Sequence, residues 1–301
     1  MRVLYATDGL PPAASAGDLI ERIGDRARLE IDVLSVVYEG FPSPQHLPFV
    51  LDPIEARRED ALEIAEEVAG KLKSAGFQAT PLVREGDPSR EILKVLSLDS
   101  YELVVLGAGG RSWLGKRLLG SVSTYVLHDS PVSVLIAHTR SDDPARTKIL
   151  FATDGSEGSK IALETLAGFA DAASHEVTVL STAPDPIMLL APAAAPIPVM
   201  LPRIPEEAHD QLRAIASEAV ELAARALADT GFVTRSLVAE GHPADEILKE
   251  EAAGDYDLVA LGSRGLGPVR RALLGSVGDH VARYAGATLV GRKEESRPQD
   301  D

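Results

Sequence analysis

The chain has 301 residues, 45% hydrophobic and 25% charged, which is more than one small core needs and is the composition of a folded protein. Acidic residues outnumber basic ones 46 to 30, and a formal charge of -16 repels nucleic acid and anionic membrane surfaces, so neither is expected as a partner. The absence of cysteine excludes disulfides, thiol catalysis and thiolate metal sites, and it suits a reducing cytoplasm.

The chain opens on an apolar strand-like run, Val3-Leu4-Tyr5-Ala6-Thr7-Asp8-Gly9, without a secretory h-region, so export is not expected. Further strands are predicted at 31–37, 78–84, 102–107 and 132–137, the first being 2–7. Each is nearly continuous in apolar character, as strands buried on both faces are. Between them Ala61, Leu62, Ala65, Val68, Ala69 and Leu72 recur at helical spacing, and Ala75-Gly76 supplies a stop. A βαβαβ order implies a parallel sheet covered by helices, with ligands taken at the carboxyl ends of the strands.

The chain then repeats itself. Ile149-Leu150-Phe151-Ala152-Thr153-Asp154-Gly155 restates the opening run, and Glu240-Gly241-His242-Pro243 with Glu246-Ile247-Leu248-Lys249 restates Glu85-Gly86-Asp87-Pro88 with Glu91-Ile92-Leu93-Lys94. Leu273-Leu274-Gly275-Ser276-Val277 likewise restates Leu118-Leu119-Gly120-Ser121-Val122. A repeat this long holds a complete core and signals domain duplication. The expected organisation is a domain over 1–140, a polar linker over 141–147, a second domain over 148–293 and a polar tail over 294–301. The second copy is longer in a Pro- and Ala-rich stretch, 183–205, whose counterpart is 38–53. It reads as an irregular surface loop or, given Met188, Leu189, Leu190, Val199, Met200 and Leu201, as a lid or dimer contact. Pro192, Pro196 and Pro198 interrupt its apolar run, which is too short to span a bilayer.

The fourth strand of each copy runs into G-x2-G-x9-G-S: Gly107, Gly110, Gly120 and Ser121, then Gly262, Gly265, Gly275 and Ser276. Glycines at a strand exit allow backbone amides close to a ribose or phosphate, and Gly-Ser opening a helix offers unpaired N–H groups and a dipole to an anion. Residues 107–121 hold Arg111, Lys116 and Arg117 without an acid, and 262–276 hold Arg264, Arg270 and Arg271 without an acid. The same basic island twice in an acidic chain points to a bound polyanion. The competing reading is that the glycines merely turn the chain and the cations pair on the surface.

This duplicated motif resembles the signature of the ATP-binding branch of the universal stress protein family, and both halves resemble it over nearly their whole length. The resemblance implies two tandem Rossmann-like α/β domains, each a five-stranded parallel sheet of flavodoxin-type order, paired with each other through their last strands around 132–136 and 288–290. It implies that Asp8 and Asp154 contact the ribose and adenine end of ATP, although an Asp there is equally a helix N-cap. Adenine falls to the backbone at Val36 and Thr182, and ribose to Gly107 and Gly262. The phosphates fall to Gly110, Gly120, Ser121 and Val122, with Ser123 for a terminal phosphate, and to Arg264, Gly265, Gly275, Ser276 and Val277. ATP, with or without Mg, is the expected cofactor. A cytoplasmic stress-response or regulatory role, an unidentified protein partner and a homodimer are the expected setting.

Two departures make the copies unequal: Gly109 stands where the second copy has Arg264, and Gly278 where the first has Ser123. No catalytic constellation is visible, and no metal site is expected. His242, whose counterpart is Asp87, lacks a second histidine at ligand spacing, and Trp113 has no aromatic counterpart. A slow ATPase or autophosphorylating switch and a module that works through protein partners without nucleotide stand as alternatives.

Overall fold

The structure, a computed structural model, describes residues 1–38, 54–109, 119–138, 148–184, 205–263, 265 and 274–293. The first half runs β1 (Arg2–Ala6), α1 (Pro11–Ile23), β2 (Glu30–Val37), α2 (Ile54–Ser74), β3 (Gln78–Glu85), α3 (Pro88–Leu98), β4 (Leu103–Gly107), α4 (Ser121–Asp129) and β5 (Val132–Ala137). The second repeats the plan: β6 (Lys148–Ala152), α5 (Glu157–Phe169), β7 (Glu176–Ala183), α6 (Glu206–Asp229), β8 (Val233–Glu240), α7 (Pro243–Gly254), β9 (Leu258–Gly262), α8 (Ser276–Tyr284) and β10 (Ala287–Lys293). The linker 141–147, the tail 294–301 and most of 38–53 and 183–205 lie outside the described residues.

The ten strands form one sheet in the order β3-β2-β1-β4-β5-β10-β9-β6-β7-β8. Neighbours within each half are parallel. The halves join where β5 meets β10 antiparallel, with Ala137 opposite Ala287, Ile136 opposite Thr288 and Val134 opposite Val290. The pairing of last strands expected from the resemblance is therefore present.

The order inside each half corrects the sequence reading. Flavodoxin-type order, 2-1-3-4-5, would bury the third strand in the middle of the sheet. Here β3 and β8 are the outer edges, the order per half is 3-2-1-4-5, and several of their side chains are exposed. Pro81 within β3 explains the placement, since proline cannot donate to a ladder and belongs on an edge strand. β2, by contrast, has five of its eight residues buried and lies inside.

Alternation along the strands divides the core between the two faces. Val3 and Tyr5 of β1 pack with α1, α2, α5 and α6, whereas Leu4 and Ala6 pack with α3, α4, α7 and α8. Both apolar layers run through both halves. At roughly 1.5–3 kcal/mol for each fully buried Leu, Ile or Phe, this continuity makes each half a structural support for the other. α2 ends at Ser74, just ahead of the expected stop at Ala75-Gly76, where Gly76 takes φ +97, but Leu62 faces out at 42% exposure, and Ala61, Ala65, Ala69 and Leu72 form its buried face.

Candidate functional site

In each half the chain builds β1, β2 and β3 outward in one direction and then returns to place β4 on the other side of β1. A crevice must open where the order reverses, at the carboxyl ends of β1 and β4. A cavity of about 610 Å³ lies there in the first half and one of about 440 Å³ in the second, both within the size range of small-molecule sites.

The first cavity gathers Asp8 from the end of β1, Val36 from β2, Gly107 and Gly109 after β4, and Gly120, Ser121, Val122 and Ser123 at the start of α4. The second gathers Asp154, Thr182, Gly262, Gly265, Gly275, Ser276 and Val277 in the same arrangement, with Gly278 in place of Ser123. Residues distant in sequence and named from the motif thus share one wall in each half. Gly110 and Arg264 lie outside the described residues, as do Arg111, Trp113, Lys116, Arg117, Arg270 and Arg271.

The sequence reading missed the opposite wall. Pro88 and Ile92 of α3 close the first cavity, and Pro243 and Ile247 of α7 close the second. The signal was present, because these residues belong to the repeated Glu-Gly-x-Pro segment, whose recurrence marks a shared cavity as well as a shared fold. His242 of that segment is the N-cap residue of α7 and lies 3.6 Å from Asp245, an exposed helix-end pair. Among the described residues no cluster of His, Asp or Glu could hold a metal ion.

Several roles change once the geometry is seen. Neither aspartate is an N-cap: that position is Leu10 in α1 and Ser156 in α5. Asp8 Oδ1 instead accepts the Leu10 N–H at 3.0 Å and Asp154 Oδ1 the Ser156 N–H at 3.0 Å, each closing an Asx turn that fixes the carboxylate at the cavity mouth. Asp154 also lies against Gly265, where an added Cβ would stand 2.5 Å from its Oδ2.

The glycines serve the protein before any ligand. A Cβ on Gly107 would stand 2.1 Å from the Pro12 carbonyl oxygen, and one on Gly262 would stand 2.5 Å from the Gly158 carbonyl carbon, so the two glycines allow α1 and α5, the first helix of each half, to press against the ends of β4 and β9. A Cβ on Gly120 would stand 2.3 Å from the Gly109 oxygen. The Gly120 N–H donates to the Ala108 carbonyl at 2.6 Å and the Gly275 N–H to the Ser263 carbonyl at 2.7 Å. These amides close the loop and are not open donors. The helix amides open to an anion begin one residue later: Ser121, Val122 and Ser123 precede the first intrahelical bond, from Thr124 N–H to the Gly120 carbonyl, and Gly120 carries no side chain to cap them. The Ser123 hydroxyl is buried and donates to the Gly107 carbonyl at 2.7 Å, so its proton is committed.

Below the first cavity, Tyr5 donates to the Ala13 carbonyl at 2.5 Å, and burial pushes its phenol up to about 12, keeping it neutral. Phe151 takes its place in the second half. The second cavity has the more polar wall, adding Thr182, Ser159 and Ser263, where the first has Val36, Ala13 and the rim formed by Leu10, Pro11 and Pro12.

Comparison with known proteins shows the family. The family model described as universal stress protein family matches residues 1–138 and again 145–290. The chain belongs to the universal stress protein family. A universal stress protein of Mycolicibacterium smegmatis is 29% identical over 259 residues, 84% of this chain and 82% of the relative, and one of Mycobacterium tuberculosis is 28% identical over 240 residues, 77% and 74%. The crystal structure of a universal stress protein from Archaeoglobus fulgidus superposes with a TM-score of 0.63 over 98% of this chain and 97% of that one, at 24% identity, a likeness of fold. No described helix is long and apolar enough to cross a membrane.

Proposed function

We propose that this tandem universal stress protein binds ATP, one nucleotide in each half, and acts in the cytoplasm as a stress-response regulator through a protein partner. The observation that carries the reading is the twofold recurrence, at the reversal point of each half-sheet, of one arrangement: an Asx-turn aspartate, a glycine loop closed on itself and an uncapped helix start. The apolar walls from β2, β4 and α3 suit a purine, the aspartate suits ribose hydroxyls, and the helix start with its dipole suits phosphate. The basic island of each loop supplies charge that a triphosphate, alone or with Mg, would meet. Among the described residues lining each cavity the one titratable side chain is the aspartate, Asp8 or Asp154, which this reading gives to the ribose, so it favours binding over hydrolysis.

Calorimetric titration with ATP, paired with mass spectrometry of nucleotide extracted from purified protein, tests the reading. Saturable binding of up to two equivalents is expected; no heat from protein that also carries no nucleotide overturns it.

The aspartates give a sharper check. Asp8→Ala and Asp154→Ala should each lower affinity in their own half by roughly tenfold, the value of one charge-assisted hydrogen bond. Loss of the Asx turn should cost stability by about 1 kcal/mol, because the bond from the Leu10 or Ser156 N–H goes with it. Urea denaturation alongside the titration separates the effects, and a stability loss with unchanged affinity would assign both residues to the turn alone.

A further inference from the structure

The last helix of each half starts at its own cavity and ends on a side chain sent by the other half. α4 starts at the first cavity; at its far end Arg292 Nη1, from the second half, donates to the His128 carbonyl at 2.9 Å and the Ser130 carbonyl at 2.8 Å. α8 starts at the second cavity; at its far end His138 Nε2, from the first half, bonds the Ala282 carbonyl at 3.0 Å while the His138 N–H donates to the Gly286 carbonyl at 2.9 Å. Both side chains are buried, at 8% and 7% exposure.

Each of these residues also adjoins its own half's cavity. Arg292 follows Gly291, which pairs with Gly262 and whose carbonyl accepts the Ser263 N–H at 2.9 Å. His138 follows Ala137, which pairs with Gly107 and whose carbonyl accepts the Ala108 N–H at 2.7 Å. A third link joins the helices directly: His128 Nε2 in the last turn of α4 lies 3.2 Å from Asp279 Oδ1 in the first turn of α8, one residue beyond Gly278 of the second cavity. The hydrogen bonds from Arg283 hold the Asp279 carboxyl below the usual carboxylate range, keeping it charged as a partner.

The geometry points to Arg292 and His138 as positioning residues that couple the two cavities, each holding the carboxyl end of the helix whose amino end receives phosphate in the opposite half. The inference rests on the nucleotide reading above. An anion at the amino end and a donor or cation at the carboxyl end act on the same helix dipole, and both require that helix in one place. Loading one cavity therefore fixes a helix whose other end is tied to the wall of the second, and linkage makes the effect reciprocal.

The test uses the full chain in two backgrounds titrated with ATP. In Asp154→Ala, where the second half is weakened about tenfold and the first half is read as the tighter step, Arg292→Met should weaken that step roughly three- to tenfold although it lies in the other half, and Arg292→Lys should recover most of the loss. In Asp8→Ala, where the second half is read as the tighter step, His138→Ala should weaken that step to a similar degree. Affinities within twofold of each parent background overturn the coupling and leave the nucleotide reading intact; no ATP binding in the parent chain overturns both. A second measurement needs no change at the junction: in the Asp154→Ala chain, ATP at a concentration that fills the first site and leaves the weakened second site mostly empty should slow amide hydrogen exchange at 282–286, at the far end of α8. Protection confined to the first half overturns the proposal.

Discussion

Gly120→Val is expected to reduce ATP affinity at the first site roughly 100-fold, about 2.7 kcal/mol, and Gly120→Ala nearly as much. The equality of the two is the informative part. Were the glycine only leaving room for a phosphate, a larger side chain would do more harm than a methyl. The clash instead arises at Cβ itself, 2.3 Å from the Gly109 oxygen, so the first carbon added must push the two backbone segments apart by about 1 Å. That shift breaks the bond from the Gly120 N–H to the Ala108 carbonyl and moves the amides of Ser121, Val122 and Ser123 away from the cavity. Equilibrium dialysis with labelled ATP in the otherwise unaltered chain reads the effect as loss of one of two tight equivalents, and circular dichroism checks folding. A folded Gly120→Val protein with undiminished affinity would remove this loop from the nucleotide site.

Arg22→Ala should destabilise the whole chain by about 2–3 kcal/mol, toward or just below the range for breaking a buried ion pair. Arg22, in α1 of the first half, meets Asp257 of the second at 2.6 Å, and the Asp257 side chain is only 1% exposed. Its other oxygen accepts one longer bond, from the Lys148 N–H at 3.3 Å. Without Arg22 the carboxylate stays buried with that bond and whatever water enters beside it; the Arg22 side chain is 37% exposed, which is why the full penalty is not expected. Asp257→Asn added to Arg22→Ala should restore part of the loss, since it removes the charge left behind. Denaturant unfolding of both single variants and the double variant forms a cycle, and a coupling energy near zero would show that the pair contributes nothing across the junction.

The recurrence of Thr-Asp-Gly, Glu-Gly-x-Pro and Gly-Ser gave the division into halves, and the apolar runs gave strands within a residue or two of those observed. Most of the residues lining the two cavities could be named because a switch-point crevice draws on strand ends and helix starts, which such motifs mark. Strand order was legible too, but in Pro81 and the polar residues of β3 rather than in the alternation of elements, and the flavodoxin-type expectation ignored them. The glycine roles were not legible. Pro12 against Gly107 and Gly109 against Gly120 are contacts between distant segments, and a sequence shows that a side chain is missing without showing what fills its place. The same holds for Arg22 with Asp257 and for Arg292 with the end of α4, pairs more than a hundred residues apart that ordinary charge patterning does not foreshadow.

The antiparallel seam between β5 and β10 also changes how the assembly answers to dilution. Two separate chains meeting edge to edge would part as their concentration fell, and their stability would track protein level. Here the two edges belong to one polypeptide, so their local concentration is set by the length of chain between them and not by expression. The seam should therefore persist at nanomolar protein, with a melting temperature independent of concentration. Each half is also released from identity with its partner: a substitution in one cavity is not automatically copied into the other, as it would be in a symmetric pair of chains. Val36 opposite Thr182 and Ser123 opposite Gly278 are differences that a pair of identical chains could not hold.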